Sequence, residues 1–248
     1  MSAAAVSVPE PRLKVLCVAP AWNEGERIAT AVRSVPMDVV DRVVVCDDGS
    51  RDETPAIAAR AGAQVLTSER NAGVGAAIRR GIDYARAHGY DVVVVISGAG
   101  KTPAEQIPLL LTPITEGRAD FCQGSRYRPG GSHYRMPWRR VLGTRAYSFL
   151  FSVFVGRRVT DASSGFRAFR VSIFDDPKID LRQDWLNRYE LEPYLLFQAL
   201  RRGVRLVETP VRIEYPQSDG IPYTKMKALS GWWSIFRPVL FLALRLKR

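Results

Sequence analysis

The chain has 248 residues, 46% of them apolar and 25% charged, an ordinary balance for one soluble domain with a sizeable core and at most a small appended region. Its formal charge of +11 points to an anionic partner, which leaves nucleotides, phosphorylated substrates, nucleic acids and acidic membranes in play. Residues 1–12 are read as a flexible N-terminus; they lack a basic start followed by a long apolar core, so no secretory signal is expected and a cytoplasmic location is. Cys17, Cys46 and Cys122 are odd in number, lie in or beside apolar segments and show no metal-ligand spacing. They are expected to be buried free thiols of a reducing compartment.

In chain order, Leu13 to Ala19 reads as a buried first strand, ended by Pro20-Ala21-Trp22-Asn23-Glu24, and a helix is expected from Glu24 to about Val35. Arg42 to Cys46 is the second strand. Its Val43-Val44-Val45-Cys46 run is apolar without alternation, which marks a strand buried on both faces in a parallel sheet. It breaks into Asp47-Asp48-Gly49-Ser50-Arg51-Asp52. A turn at the carboxyl end of such a strand faces the crevice where α/β proteins bind ligands. Ser50 and Asp52 suit helix capping, but two adjacent carboxylates repel unless something uses them. A helix from Thr54 to Ala61 and a strand from Ala63 to Leu66 complete a β-α-β-α-β pattern, which implies right-handed crossovers.

Asn71-Ala72-Gly73-Val74-Gly75-Ala76-Ala77 opens a helix that continues to about His88; its glycine-rich start suits a phosphate but lacks the third glycine of a dinucleotide fingerprint. Asp91 to Ile96 is the most strand-like run. Ser97-Gly98-Ala99-Gly100-Lys101-Thr102 follows and mimics the end of a P-loop, yet Val95 stands where that motif needs glycine. Pro103 to Glu116 is expected to be helical and Asp120 to Gln123 extended, with Gly124-Ser125-Arg126-Tyr127 leaving the strand. Arg128 to Arg140, rich in Gly, Pro, Arg and aromatics, reads as a mobile loop over the crevice, and Arg139 to Val155 as an apolar helix. Asp161 to Phe169 is a polar turn feeding a strand, Glu190 to Arg202 a helix, and Val204 to Tyr215 extended, with Pro210 at an edge or bulge. The tail, Lys225 to Arg248, has six basic residues and no acidic ones. It is too short and charged to span a bilayer, and fits either a helix in an acidic membrane interface or one packed on the domain's own core.

Five of these segments, in this order and spacing, resemble the family 2 glycosyltransferases, and most of all the dolichyl-phosphate mannose synthase branch. They are Pro20 to Glu24, Cys46 to Ser50, Asn71 to Gly81, Gly124 to Tyr127 and Asp161 to Phe169. The resemblance implies an α/β GT-A fold: a Rossmann-like, mainly parallel sheet flanked by helices over residues 13–224, with a C-terminal amphipathic helix in 225–248. It also implies a nucleotide-diphosphate sugar as donor. By that resemblance Pro20, Trp22 and Glu24 bracket the nucleoside, and Asp47 with Asp48 receive the base and ribose. Asn71, Gly75 and Arg79 flank the nucleotide; Gly124, Ser125 and Arg126 lie near the sugar and diphosphate. Asp161, Ser164, Gly165 and Phe166 form the acceptor-side turn, and Lys225 resembles a late Ser-Lys element that meets the leaving diphosphate.

One departure stands out. Where the family carries an Asp-x-Asp that holds Mg²⁺ or Mn²⁺, this chain has Ser97-Gly98-Ala99. Hard cations want oxygen ligands, usually carboxylates, so metal-independent transfer is expected, with Lys101 and Arg126 offsetting charge on the leaving group. The expected reaction is inverting displacement onto a polyprenyl phosphate or a small-molecule hydroxyl; the latter needs a base, for which Asp161 is the candidate. The alternative is a protein that binds nucleotide sugar without transferring it. Nucleic acid is not an expected partner, because the aromatics and basic residues do not interleave in a nucleic-acid-binding motif.

Overall fold

The computed structural model describes residues 12–215 and 228–247. Strand and helix alternate through β1 (Val15–Ala21), α1 (Arg27–Arg33), β2 (Arg42–Asp47), α2 (Thr54–Arg60), β3 (Gln64–Thr67), α3 (Val74–Ala87) and β4 (Val92–Val95). There follow α4 (Ile107–Thr115), β5 (Phe121–Ser125), β6 (Ser132–Tyr134), α5 (Trp138–Val155) and β7 (Arg167–Arg170). The chain ends through α6 (Leu191–Arg201), β8 (Leu206–Pro210), β9 (Arg212–Glu214) and α7 (Ala228–Ala243).

The main sheet runs β3-β2-β1-β4-β7-β5-β8. Its β1–β4 portion is parallel, with Ala19 opposite Val45 and Cys17 opposite Val94. Successive side chains of these strands enter opposite cores, as a sheet covered on both faces requires. Leu16, Val18, Val44, Val93 and Val95 pack with residues of α3, α5, α6 and α7; Val15, Cys17, Val43, Val45, Val92 and Val94 pack with residues of α1, α2 and α4. All three cysteines are buried and free.

Several expected boundaries move for local reasons. The first helix begins at Arg27, because Asn23 and Gly25 take positive φ (49° and 54°) and fold the preceding residues into a turn. The fourth starts at Ile107 after a tighter 3₁₀ turn over Ala104–Gln106. β7 pairs antiparallel with both β4 and β5, so the sheet is mixed there. The stretch from Arg128 to Arg140 is more than a loop: its β6 pairs in parallel with β9. Pro210 ends the edge strand β8 at the break before β9, where its missing N–H costs no ladder bond.

The described part of the tail docks on the domain. Val239 and Leu242 of α7 are buried, Trp232, Ile235 and Phe236 pack against the core, and the Arg237 guanidinium donates to Glu190 at 2.6 Å.

Candidate active site

β2 and β3 lie on one side of β1, and β4 on the other, so the order of winding reverses between β1 and β4. At such a switch point the loops at the carboxyl ends diverge and leave a crevice. A cavity of about 500 Å³ opens there, within the range of small-molecule sites. Its wall at the carboxyl end of β1 is Pro20, Ala21, Trp22 and Glu24; its wall after β4 is Ser97, Gly98, Ala99, Lys101 and Thr102.

The acidic turn divides its labour. Asp47 is fully buried away from the cavity, where its carboxylate accepts from the Ser50 hydroxyl and, at 3.2 Å, from the Ser50 N–H. Asp48 edges the cavity and accepts from the Ala72 and Gly73 amides at 3.1 and 2.7 Å, which ties the start of α3 to β2. Across the same turn, Thr54 Oγ1 accepts from the amides of Glu24 and Gly25 (2.8 and 3.0 Å), and Asn23 Oδ1 from that of Arg51 (2.8 Å). The Pro20–Gly25 loop and the acidic turn are therefore one stitched unit.

The glycine-rich start of α3 serves packing. A Cβ on Gly75 would lie 2.2 Å from the Leu186 carbonyl oxygen and 2.5 Å from that of Arg188. The Asn187 carbonyl accepts from the Ala76 N–H at 2.9 Å, so a distant segment covers this helix start. Arg79 lies outside the cavity and fastens the same segment, donating to the Leu181 carbonyl and the Asn187 side chain (2.9 and 2.7 Å). Asn71 does line the cavity, and the fastened segment contributes Arg188, Tyr189 and Glu192 to its wall.

After β4, Gly98 crosses over the end of β1, where a Cβ would stand 2.5 Å from the Pro20 carbonyl oxygen. The residues present do not fit a divalent metal. The cavity's carboxylates, Glu24, Asp48 and Glu192, come from three separate elements, and both oxygens of Asp48 are already engaged by amides. Among the described residues no group of three or more His, Cys, Asp or Glu side chains is arranged to hold an ion. Lys101, Arg126, Arg140, Arg167 and Arg188 instead give the cavity five cations.

On the far wall, Asp161 is fully buried inside the fork of Arg126. Arg126 Nε and Nη2 donate to its two oxygens at 2.7 and 2.8 Å, the Arg126 amide adds a bond at 3.1 Å, and the Ser163 hydroxyl adds one at 3.0 Å. The remaining Nη1 donates to the Tyr215 hydroxyl at 2.8 Å. Burial alone would weaken the charge on Arg126, but Asp161 more than offsets it and holds the guanidinium above its ordinary pKa. Behind the pair, Glu208 accepts from the Thr160 and Asp161 amides, and Gln123 donates to the carbonyls of Asp161 and Ser164. Ser125 takes no part in the wall; its hydroxyl accepts from the Tyr127 and Arg128 amides, while Gly124 packs in β5 against Phe166. Ser164, Gly165 and Phe166 line the cavity beside Arg167, which burial pulls below its ordinary pKa although Glu192 opposes the shift from 3.5 Å.

Thus Pro20, Trp22, Glu24, Asp48, Asn71, Ser97, Gly98, Ala99, Lys101 and Arg126 meet at one cavity, whereas Asp47, Gly75, Arg79, Gly124, Ser125 and Asp161 support it from behind. Lys225 lies outside the described residues. Sequence reasoning missed Arg140, Arg188, Tyr189, Glu192 and Tyr215. A glutamate in the first turn of the mostly apolar helix Leu191–Arg201 was the available signal for Glu192.

Residues 17–176 match the profile of glycosyl transferase family 2. The chain is 31% identical over 208 residues to a polyprenol monophosphomannose synthase of Mycolicibacterium smegmatis, covering 81% of this chain and 77% of that one. It is also 31% identical to an undecaprenyl-phosphate mannosyltransferase of Micrococcus luteus, over 80% and 83% of the two chains. Among solved structures, a glucosyl-3-phosphoglycerate synthase of Mycobacterium tuberculosis, in complex with Mn²⁺, UDP and phosphoglyceric acid, superposes with a TM-score of 0.65. At 22% identity, over 93% of this chain and 78% of that one, this likeness shows the shared GT-A fold. The cavity at the β1–β4 switch point is therefore that of a glycosyltransferase, and the chain belongs to glycosyl transferase family 2.

Proposed function

We propose that the chain moves a hexosyl or N-acetylhexosaminyl group from a nucleoside diphosphate sugar to a polyprenyl phosphate. The observation that carries the reading is the cavity itself, which joins Trp22, Glu24 and Asp48 to a set of cations that includes Lys101, Arg140 and Arg188. An aromatic and carboxylates suit a nucleoside, whose ring can be covered and whose hydroxyls and N–H groups donate; each Asp48 oxygen keeps a lone pair beside its amide bond. Cations suit a diphosphate and an anionic acceptor. Relatives named for transfer of mannose to polyprenyl phosphates, and of N-acetylglucosamine to dolichyl phosphate, support the acceptor class.

The chemistry is a single displacement. An oxygen of the acceptor phosphate attacks the anomeric carbon as the bond from that carbon to the diphosphate oxygen breaks, and the electron pair leaves with the diphosphate. The new bond forms on the opposite face, so configuration inverts. A phosphate is already ionised at neutral pH and needs no general base. Asp161, saturated by donors, is thus a positioning residue that fixes Arg126 and the Ser163–Gly165 turn. The Lys101 ammonium offsets the charge that builds on the leaving diphosphate, a role that needs no metal ion. Action on a lipid acceptor makes the protein peripheral on the inner face of the membrane.

The test is product analysis with a panel of nucleotide sugars and a polyprenyl phosphate. The expected outcome is release of nucleoside diphosphate in step with an inverted lipid-linked sugar. Donor binding without turnover across the panel would return the chain to a binding role.

A further inference from the structure

Helix α5 is apolar on two faces: Tyr147, Phe151 and Val155 enter the core, and a second apolar stripe faces outward. In an ordinary surface helix the apolar stripe faces the core and the polar residues face water. Here the buried face includes Thr144 and Ser148, whose hydroxyls are consumed locally: Ser148 Oγ donates to the Thr144 carbonyl at 2.8 Å and accepts from the Ala162 N–H at 3.0 Å. The outward face carries Trp138, Leu142, Phe149 and Val153, which are 70%, 62%, 68% and 60% exposed, with Leu150 beside them. Their spacing of four, seven and four residues is a single helical stripe. The charge around this stripe is one-sided. From Phe121 to Thr160 the sequence has eight arginines and no aspartate or glutamate, and Arg139, Arg145 and Arg157 are all exposed at or just beyond the helix.

We propose that the outward face of α5 docks on the surface of an anionic bilayer. An aromatic and aliphatic stripe flanked by arginines is what such an interface takes, because the apolar side chains leave water for the acyl boundary while the guanidinium groups meet anionic headgroups. No helix among the described residues is long and apolar enough to cross a membrane, so contact of this kind is made from the surface. The position fits the chemistry. Arg140, on the first turn of the same helix, lines the cavity, so docking through α5 brings the cavity wall to the level of the headgroups. The proposal deepens the polyprenyl-phosphate reading and rests on it for its purpose, but lipid binding is measured without any sugar transfer. The tail, whose α7 turns Val239 and Leu242 inward, is secondary to α5 in this arrangement.

The test is flotation of the full chain with vesicles of phosphatidylglycerol and phosphatidylcholine, against vesicles of phosphatidylcholine alone. The native chain is expected to float with the anionic vesicles and to release as salt is raised. The double variant Leu142→Glu/Phe149→Glu should lose more than about tenfold in partitioning, with its thermal midpoint and mass in solution unchanged. A second readout guards against a misfolded variant: brominated acyl chains should quench the native tryptophan fluorescence, and Trp138→Phe, at a largely exposed site, should remove much of that quenching. A native chain that stays with the soluble fraction, a double variant that floats as well as the native chain, or quenching indifferent to Trp138 would overturn the proposal. So would a native chain that dimerises through this face and ignores vesicles, which would make the occupant a second copy. Failure of any of these leaves sugar transfer to be judged on its own product assay.

Discussion

The wall of the cavity at β1 and β2 is held by bonds between side chains and backbone amides: Asp48 to Ala72 and Gly73, and Thr54 to Glu24 and Gly25. The wall at β5 and β7 is held by ion pairs, the fully buried Arg126–Asp161 and a half-buried one between Arg167 and Glu192. The first kind is cheap, since each bond replaces a similar bond to water and nets about 1 kcal/mol. The second is costly, because both charges leave water, and it gives fixed geometry more than stability. The β5–β7 wall is thus rigid at the expense of being fragile, and loss of one partner strands the other.

That contrast predicts its own largest effect. Asp161→Ala should destabilise the fold by about 3–5 kcal/mol in urea titration, because Arg126 is left buried and unpaired. A loss below about 1 kcal/mol would mean that water or another carboxylate takes over the fork. Next, Lys101→Ala should lower kcat by about 10²–10³-fold while leaving the unfolding midpoint in place, as a cation acting on the leaving group would. A change in KM alone would reduce Lys101 to a binding contact. At the start of α3, Gly75→Ala should cost about 1–3 kcal/mol, since the new methyl meets two carbonyl oxygens that belong to backbone. It should also raise KM for donor by displacing Arg188 and Tyr189; unchanged KM would separate the packing from the site.

The smallest effect concerns the thiols beneath both walls. Burial pushes Cys46 up to about 12 and Cys122 up to about 11, and drives Cys17 upward as well. Their folded pKa values lie above the ordinary 9.0, so the contribution of the neutral thiols is complete below pH 9 and is lost as pH rises towards 11–12. The urea midpoint should fall between pH 8 and pH 10.5, and native protein should react with none of its thiols at pH 8. Fast labelling of even one would contradict their burial.

Much of the β1–β2 wall was legible in the sequence because its signals are local. The uninterrupted Val43–Cys46 run gave a doubly covered parallel strand, and Asp47-Asp48-Gly49-Ser50 marked its carboxyl end. What failed there was the separation of roles: adjacent carboxylates look alike in sequence, yet one faces the cavity and the other closes a turn. Contacts that are long-range were less legible on either wall. Nothing near Gly75 announces that residues 186–188 will press on it, and nothing near Asp161 announces that a guanidinium 35 residues earlier in the chain will occupy both its oxygens. The antiparallel insertion of β7 between β4 and β5 is likewise a tertiary choice. The apolar residues of α5 were present in the sequence, but a helix that is apolar on more than one face does not say which is turned inward.

Donor turnover by the native chain on polyprenyl phosphate, with and without EDTA, bears on both walls at once. If the cations of the cavity stand where related folds hold a metal, the rate is unchanged by the chelator and by added Mn²⁺, and falls only when Lys101 is removed. A rate that collapses in EDTA and returns with Mn²⁺ would show that a divalent ion, held by ligands other than Ser97-Gly98-Ala99, carries the charge of the leaving diphosphate.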